Sequence, residues 1–287
     1  METHTLNNSM VGKICLVTGA TSGIGKVTAI ALAAQGANVI ITGRNLQKTR
    51  EAAHQIKLET GSESVDYLLA DFSDLGQVRK LATEFKERYS RLDVLLNNAG
   101  AFFNGHHRTS YGVEETFLVN HLAPFLLTNL LIETLKNSAP ARVILVSSDA
   151  HKLATLDFDD LEFNHGFFGI KAYGRSKLAN LLFTFELARR LEGTGVSVNA
   201  VHPGHVATDI WKTNFSIFGP LLKYITSLIA LTPQQGADTL IYLASSPEVA
   251  KITGQYFIKR ESVPSSPLSL DEETADKLWT VSEKITS

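Results

Sequence analysis

The chain has 287 residues, a formal net charge of -2 and 44% apolar side chains. That is enough apolar material for a large buried core. There is no basic field to hold nucleic acid. Cys15 is the only cysteine, which excludes an intrachain disulfide and any multi-cysteine metal site. Met1 to Met10 lacks the basic and apolar regions of a signal peptide. No uninterrupted apolar run reaches the roughly 18 residues of a membrane span. The expectation is a soluble, cytoplasmic protein with no integral membrane segment.

From Lys13 onward, short β-branched runs alternate with helical patterns. The pattern predicts strand Ile14–Thr18, helix Ile24–Gln35, strand Asn38–Thr42 and helix Leu46–Glu59. Strand Ser64–Leu69, helix Leu75–Tyr89 and strand Val94–Leu96 follow, then a long helix from about Gly112 to Lys136. After them come strand Arg142–Ser147, helix Ala172–Leu191, strand Ser197–Val201, helix Pro233–Leu243 and strand Gln255–Ile258. The tail, Asp271–Ile285, reads as a capped amphipathic helix with three acids in its first turn. Apolar strands separated by helices argue a parallel sheet covered on both faces. The prediction is therefore a single-domain α/β chain, 1–287, with a doubly wound Rossmann fold and about seven strands. In such folds the ligand sits beyond the carboxyl ends of the strands. Two segments break the rhythm, Asp149–Lys171 and Trp211–Leu231, and both follow strands.

Residues 18–25 close the first strand and open the first helix. Gly19, Thr21, Ser22, Gly23, Ile24 and Gly25 give the spacing Gly-x-x-x-Gly-x-Gly. Glycines let backbone approach a pyrophosphate, and the helix N-terminus supplies N–H donors. An ordinary glycine-rich βα turn would have the same look. After the second strand, sites specific for NAD carry an acid for the ribose hydroxyls. This chain has Gly43 and then Arg44. An acid would repel a 2′-phosphate, whereas an arginine can grip one with a charge-assisted fork. The pair points to NADP, and an aspartate at position 43 is expected to push the preference towards NAD. Alone, Arg44 would pass for a solvated loop residue, and Lys26 could share the phosphate.

Tyr173 and Lys177 are four apart, so they share a helix face. A phenol titrates near 10, and bringing it to about 7 takes roughly 4 kcal/mol. One ammonium about 4 Å away supplies that at an effective dielectric near 20. The pair is therefore sufficient for acid–base work, although Tyr-x-x-x-Lys is also common by chance. It does not stand alone. Asn97-Asn98-Ala99-Gly100 ends the fourth strand, Asn120 lies in the next helix, and Ser147-Ser148 ends the fifth strand.

From Lys13 to Ile258 these motifs, in this order, resemble those of the classical short-chain dehydrogenases/reductases. The resemblance implies that Tyr173 is the general acid/base and that Lys177 lowers its pKa and holds the nicotinamide ribose. It implies that Ser148 hydrogen-bonds the substrate oxygen and that Asn120 holds a relay water near Lys177. Asp71 resembles the contact to the adenine edge. Asn98, Ala99 and Gly100 resemble the cofactor-binding strand end. The segment Pro203–Thr208, with Val206 and Thr208, resembles the one that holds the nicotinamide amide. Ser148 and Tyr173 lie 25 positions apart, about twice the usual family interval. That insertion, with the segments Val119–Leu122, Ser176–Asn180 and Ala244–Val249, resembles the retinol-dehydrogenase-like branch, whose relatives include the WW-domain oxidoreductase and protochlorophyllide reductase. No WW domain is visible, and the branch's frequent N-terminal anchor is not expected here.

The implied function is hydride transfer between NADP(H) and a small hydrophobic carbonyl or alcohol. The alternatives are a carbon–carbon double-bond reductase and a non-catalytic nucleotide sensor. The intact quartet Asn120, Ser148, Tyr173 and Lys177 argues against the sensor. The apolar stretch 206–231 reads as a substrate lid, and 215–231 also fits a peripheral membrane contact. Homo-oligomers through the two long helices are usual in the family. Nine histidines show no carboxylate or cysteine complement for zinc, so no metal is expected. His121, one position past Asn120, is expected to pack.

Overall fold

The computed structural model describes residues 9–204 and 231–287. Its strands are β1 Ile14–Val17, β2 Asn38–Gly43, β3 Val65–Leu69, β4 Val94–Asn97, β5 Ala141–Val146, β6 Val196–His202, β7 Gln255–Ile258 and β8 Glu261–Ser262. They form one sheet in the order β3-β2-β1-β4-β5-β6-β7-β8. Seven strands run parallel, and the two-residue β8 returns antiparallel along β7. That eighth strand was beyond the periodic pattern, because two residues carry no period.

The described helices are α1 Gly23–Ala34, α2 Leu46–Thr60, α3 Leu75–Arg88, α4 Glu115–Asn137, α5 Gly169–Arg190, α6 Pro233–Ser245 and α7 Glu272–Thr286. Strand side chains alternate between the two faces. Cys15, Val17, Val39 and Ile41 enter one core with Leu32 of α1, Ile56 of α2 and Leu240 of α6. Leu16, Ile40 and Leu95 enter the other with Leu81 of α3, Leu127 of α4, Leu182 of α5 and Leu278 of α7. Cys15 is buried, and desolvation raises its thiol far above the usual range, so it packs as an inert hydrophobe.

Several bounds differ from expectation for local reasons. The long helix starts at Glu115 rather than Gly112, since Gly112 is in a turn at φ 70° and Glu114 caps the helix through Thr116 N–H and Phe117 N–H. That helix is apolar and long enough to cross a membrane, but 72% of its apolar window is buried in the core. The α5 helix starts three residues early, at Gly169, where a Cβ would stand 2.7 Å from the Phe103 carbonyl. The tail helix is capped by Asp271, which accepts from Thr274 N–H. Trp279 of α7 packs its ring on Phe125 and Phe183, covering α4 and α5. His121 donates or accepts with Ser282 at 3.0 Å within the same buried cluster, so it packs, as expected.

Strand order reverses between β1 and β4, whose neighbours lead off in opposite directions. The crevice beyond the carboxyl ends at that switch point is where a doubly wound sheet receives its ligand.

Candidate active site

A cleft of about 450 Å³ opens at that switch point. Gly19, Thr21, Ser22, Gly23, Ile24 and Gly25 line it, with Arg44, Asp71, Asn98, Ala99, Gly100, Ser148, Tyr173, Lys177 and Pro203. The glycine turn is packed to backbone limits. Gly19 has φ 65°, and a Cβ there would lie 2.8 Å from the Ala99 Cα. At Gly25 a Cβ would lie 2.4 Å from the Asn98 Nδ2. Thr18 knits this turn to β4, accepting from the N–H groups of Asn98 and Ala99 at 3.0 Å each. The Asn98 amide donates to the carbonyls of Thr18 and Gly19, so its side chain shapes the turn. Ser22, at the N-cap of α1, makes no side-chain cap. The first N–H groups of α1 therefore stay open to an anion.

At the β2 end, Arg44 is exposed on the cleft rim. No ion pair engages it among the described residues. Lys26 is committed elsewhere, donating to Gln55 at 2.6 Å beside Glu59. Asp71 accepts from Ser73 N–H and Oγ, while Asp74 is the cap of α3. Gly43 qualifies one expectation. A Cβ there would lie 2.4 Å from Thr49 Oγ1 and 2.5 Å from Thr21 Cγ2, so an aspartate at 43 must displace these two side chains as well as repel a phosphate.

The opposite end is dry. Tyr173 is 8% exposed, Lys177 3% and Asn120 0%. Tyr173 and Lys177 share one face of α5, with the ammonium 5.4 Å from the ring centroid. Burial pushes the Tyr173 phenol up to about 12, opposed by a hydrogen bond with Ser148. Burial brings Lys177 down to about 8, and its Nζ donates to the Val146 carbonyl at 3.0 Å. In this state burial sets the direction of the Tyr173 shift, and the Lys177 ammonium is turned to the Val146 carbonyl.

Ser148 is the second residue past β5, and its Oγ also accepts from Ala150 N–H at 3.3 Å. Ser147 faces inward and donates to the Lys177 carbonyl. Gly174 lets this turn approach α5, since a Cβ would lie 2.8 Å from the Ala150 carbonyl. Asn120 sits in a π turn, Leu118–Leu122. Its Oδ1 accepts from Ala101 N–H, and its Nδ2 donates to the Ala101 carbonyl and to Ser176 Oγ. Both amide protons are thus committed, and a water can meet this residue only at Oδ1 or its backbone.

Val206 and Thr208, and every lid residue except Leu231, lie outside the described residues. Phe103, Glu115, Val119 and His202 also line the cleft, and none of the four was expected as a site residue. Glu115 and Val119 are one turn apart on α4, a spacing that could have flagged them. A larger cavity, about 710 Å³, opens at the amino ends of β5 and β6, and no predicted site residue lines it. Among the described residues no cluster of three or more histidine, cysteine or acidic side chains could hold a metal.

The family model for short chain dehydrogenases matches residues 13–216. The chain belongs to that family. Human retinol dehydrogenase 14 is 43% identical over 96% of this chain and 86% of its own length. Mouse retinol dehydrogenase 12 is 41% identical over 97% and 87%. A Mycobacterium paratuberculosis protein of known structure superposes with a TM-score of 0.78 at 32% identity, covering 96% of this chain and 94% of its own. The Pseudomonas aeruginosa RhlG/NADP active-site complex superposes at 0.72 with 28% identity, covering 88% and 96%. This short-chain dehydrogenase is thus an oxidoreductase of the retinol-dehydrogenase-like branch, and its family binds a nicotinamide cofactor.

Proposed function

We propose that this short-chain dehydrogenase interconverts a hydrophobic aldehyde or ketone and its alcohol, with NADP(H) as the hydride carrier. The observation that carries the cofactor choice is Arg44, exposed on the rim after β2 with no ion pair among the described residues, and Gly43 where an acid would select NAD. The RhlG relative was solved with NADP, and an Escherichia coli relative at 26% identity with NADPH, which supports the same reading.

The residues fit a dinucleotide. The close-packed Gly19 and Gly25 leave backbone room, and the uncapped start of α1 offers donors to a pyrophosphate. Arg44 would hold the 2′-phosphate, with Asp71 near the adenine and Lys177 on the nicotinamide ribose. When bound, the cofactor supplies or accepts the hydride at the substrate carbon.

The chain's own residues handle the proton. Ser148 donates a hydrogen bond to the carbonyl oxygen and orients it towards Tyr173. As negative charge develops on that oxygen, the Tyr173 phenol gives up its proton to it. The phenolate left behind is stabilised by the Lys177 ammonium, which at pH 7 is mostly charged with a pKa near 8. A dry site makes that charge pair strong. Asn120 pins Ala101 beside Gly100 and Lys177, so its contribution is positional. The edge-on contact of Phe102 with Tyr173, at 5.8 Å between centroids, fixes the phenol's direction, and Phe103 and Val119 give the cleft an apolar wall. That wall favours an apolar substrate.

The test is a panel of aldehydes, ketones and alcohols assayed by nicotinamide absorbance with both cofactors. Turnover of long apolar carbonyls with NADPH is expected. A steeply higher kcat/KM for small charged substrates, or a preference for NADH, would contradict the proposal.

A further inference from the structure

The turn that carries Ser148 is held from behind by one histidine. His151 is 0% exposed, in the 3-10 turn Asp149–Leu153. Its Nδ1 lies 2.7 Å from the Ser148 carbonyl. Its Nε2 lies 3.1 Å from the backbone nitrogen of Ser266, on the segment before α7. A carbonyl can only accept and an amide N–H can only donate. The two partners therefore dictate the tautomer: Nδ1 carries the proton and Nε2 does not. Burial lowers the ring's pKa, with the Ser148 hydrogen bond and Asp149 acting the other way. The ring stands edge-on to Tyr256, 5.3 Å between centroids, so it has little freedom to turn.

Ser148 needs such a hold. It is the second residue past β5, and its Oγ is divided between Tyr173 and the Ala150 N–H that it caps. A small rotation of the Ser148 backbone would hand the hydroxyl wholly to the cap. Its carbonyl accepts two bonds from His151, one from the backbone N–H at 3.1 Å and one from Nδ1. The ring that makes the side-chain bond is itself held from outside the turn, by the Ser266 N–H.

We propose that His151 is a positioning residue for Ser148: its Nδ1–H fixes the serine's backbone, and the Ser266 amide locks the ring in the tautomer that can do so. The proposal rests on the reading of Ser148 as the partner of the substrate oxygen. It ties the reactive end of the cleft to the chain segment that leads into α7.

Two substitutions separate positioning from simple core filling. Asparagine places an N–H donor where Nδ1 stands but cannot reach Ser266. Glutamine places an acceptor where Nε2 stands but offers nothing at Nδ1. His151→Asn should keep kcat within about threefold, and His151→Gln should lose about tenfold or more, the range of one lost buried hydrogen bond. NADPH Kd should hold in both. Ser266→Pro removes the N–H that locks the ring, together with a buried hydroxyl that has no hydrogen-bond partner among the described residues, at a residue whose φ of -66° suits proline. It should lower kcat by about 2- to 10-fold. Ring nitrogen-15 shifts of the unaltered protein should show Nδ1 protonated and Nε2 bare at neutral pH. Equal kcat losses in the asparagine and glutamine variants, or the opposite tautomer, would overturn the proposal. Ser148→Ala is the control. If it keeps full activity, the reading of Ser148 falls; if it loses activity while His151→Gln does not, only the role of His151 falls.

Discussion

The two ends of the cleft are built on opposite electrostatic terms. At the β2 end, Arg44 is exposed, and its charge is inexpensive to keep and easily screened. At the α5 end, Tyr173 and Lys177 are buried, and each displaced proton carries a desolvation cost that pushes one group up to about 12 and the other down to about 8. The contrast assigns the ends different work. Recognition of a charged group suits a wet rim, where binding can be strong and reversible. Proton transfer suits a dry floor, where a neighbouring charge acts at full strength.

Removing the proposed proton donor, Tyr173, should give the largest effect. Tyr173→Phe deletes one oxygen and little packing area. Turnover should fall by about 100- to 10,000-fold, the range of general acid–base catalysis, with NADPH binding unchanged. Rapid kinetics and fluorescence titration would check both, and retention of most of the rate would break the division of labour.

The dry floor also predicts a trade of stability for activity. A folded lysine held near 8, against 10.5 when free, is penalised by burial whenever it is charged in both states. The penalty is full below pH 8 and fades as pH rises towards 10.5. It corresponds to about 3 kcal/mol, less about 1 for the lost hydrogen bond. The Val146 carbonyl would keep Asn180 Nδ2 as a partner at 3.2 Å. Lys177→Met should therefore stabilise the cofactor-free protein at pH 7 by about 2 kcal/mol while abolishing turnover. Denaturant titrations at pH 7 and pH 10 would check this, with a smaller gain expected at the higher pH.

The smallest effect concerns the rim. Raising salt from about 0.05 to 0.5 M should shrink the NADPH-over-NADH preference a few-fold, because the screening length falls below 10 Å. The kcat with saturating NADPH should barely change. A preference indifferent to salt would mean that the phosphate is held in a buried pocket.

What the sequence disclosed follows the same divide between local and distant. The glycine turn, the apolar strands and the Tyr173–Lys177 spacing are written in consecutive residues, and periodicity is enough to read them. Gly43 looked replaceable, because its neighbours Thr21 and Thr49 come from two other elements. The commitments of Asn120 to Ala101 and Ser176, and of His151 to Ser266, span 19, 56 and 115 positions. No local pattern encodes such pairs. The direction of the Tyr173 shift depended on burial, which spacing alone does not measure.

Arg44 is proposed to make this oxidoreductase an NADP(H) enzyme. The most direct test is a paired titration of NADPH and NADH against the unaltered protein and Arg44→Ala. A hydrogen bond to a charged group is worth about 1.5–3 kcal/mol, so NADPH binding should weaken by about 10- to 150-fold. NADH lacks the 2′-phosphate, and its binding should stay nearly unchanged. Equal losses for both cofactors would make Arg44 structural, and a preference of the unaltered protein for NADH would contradict the account.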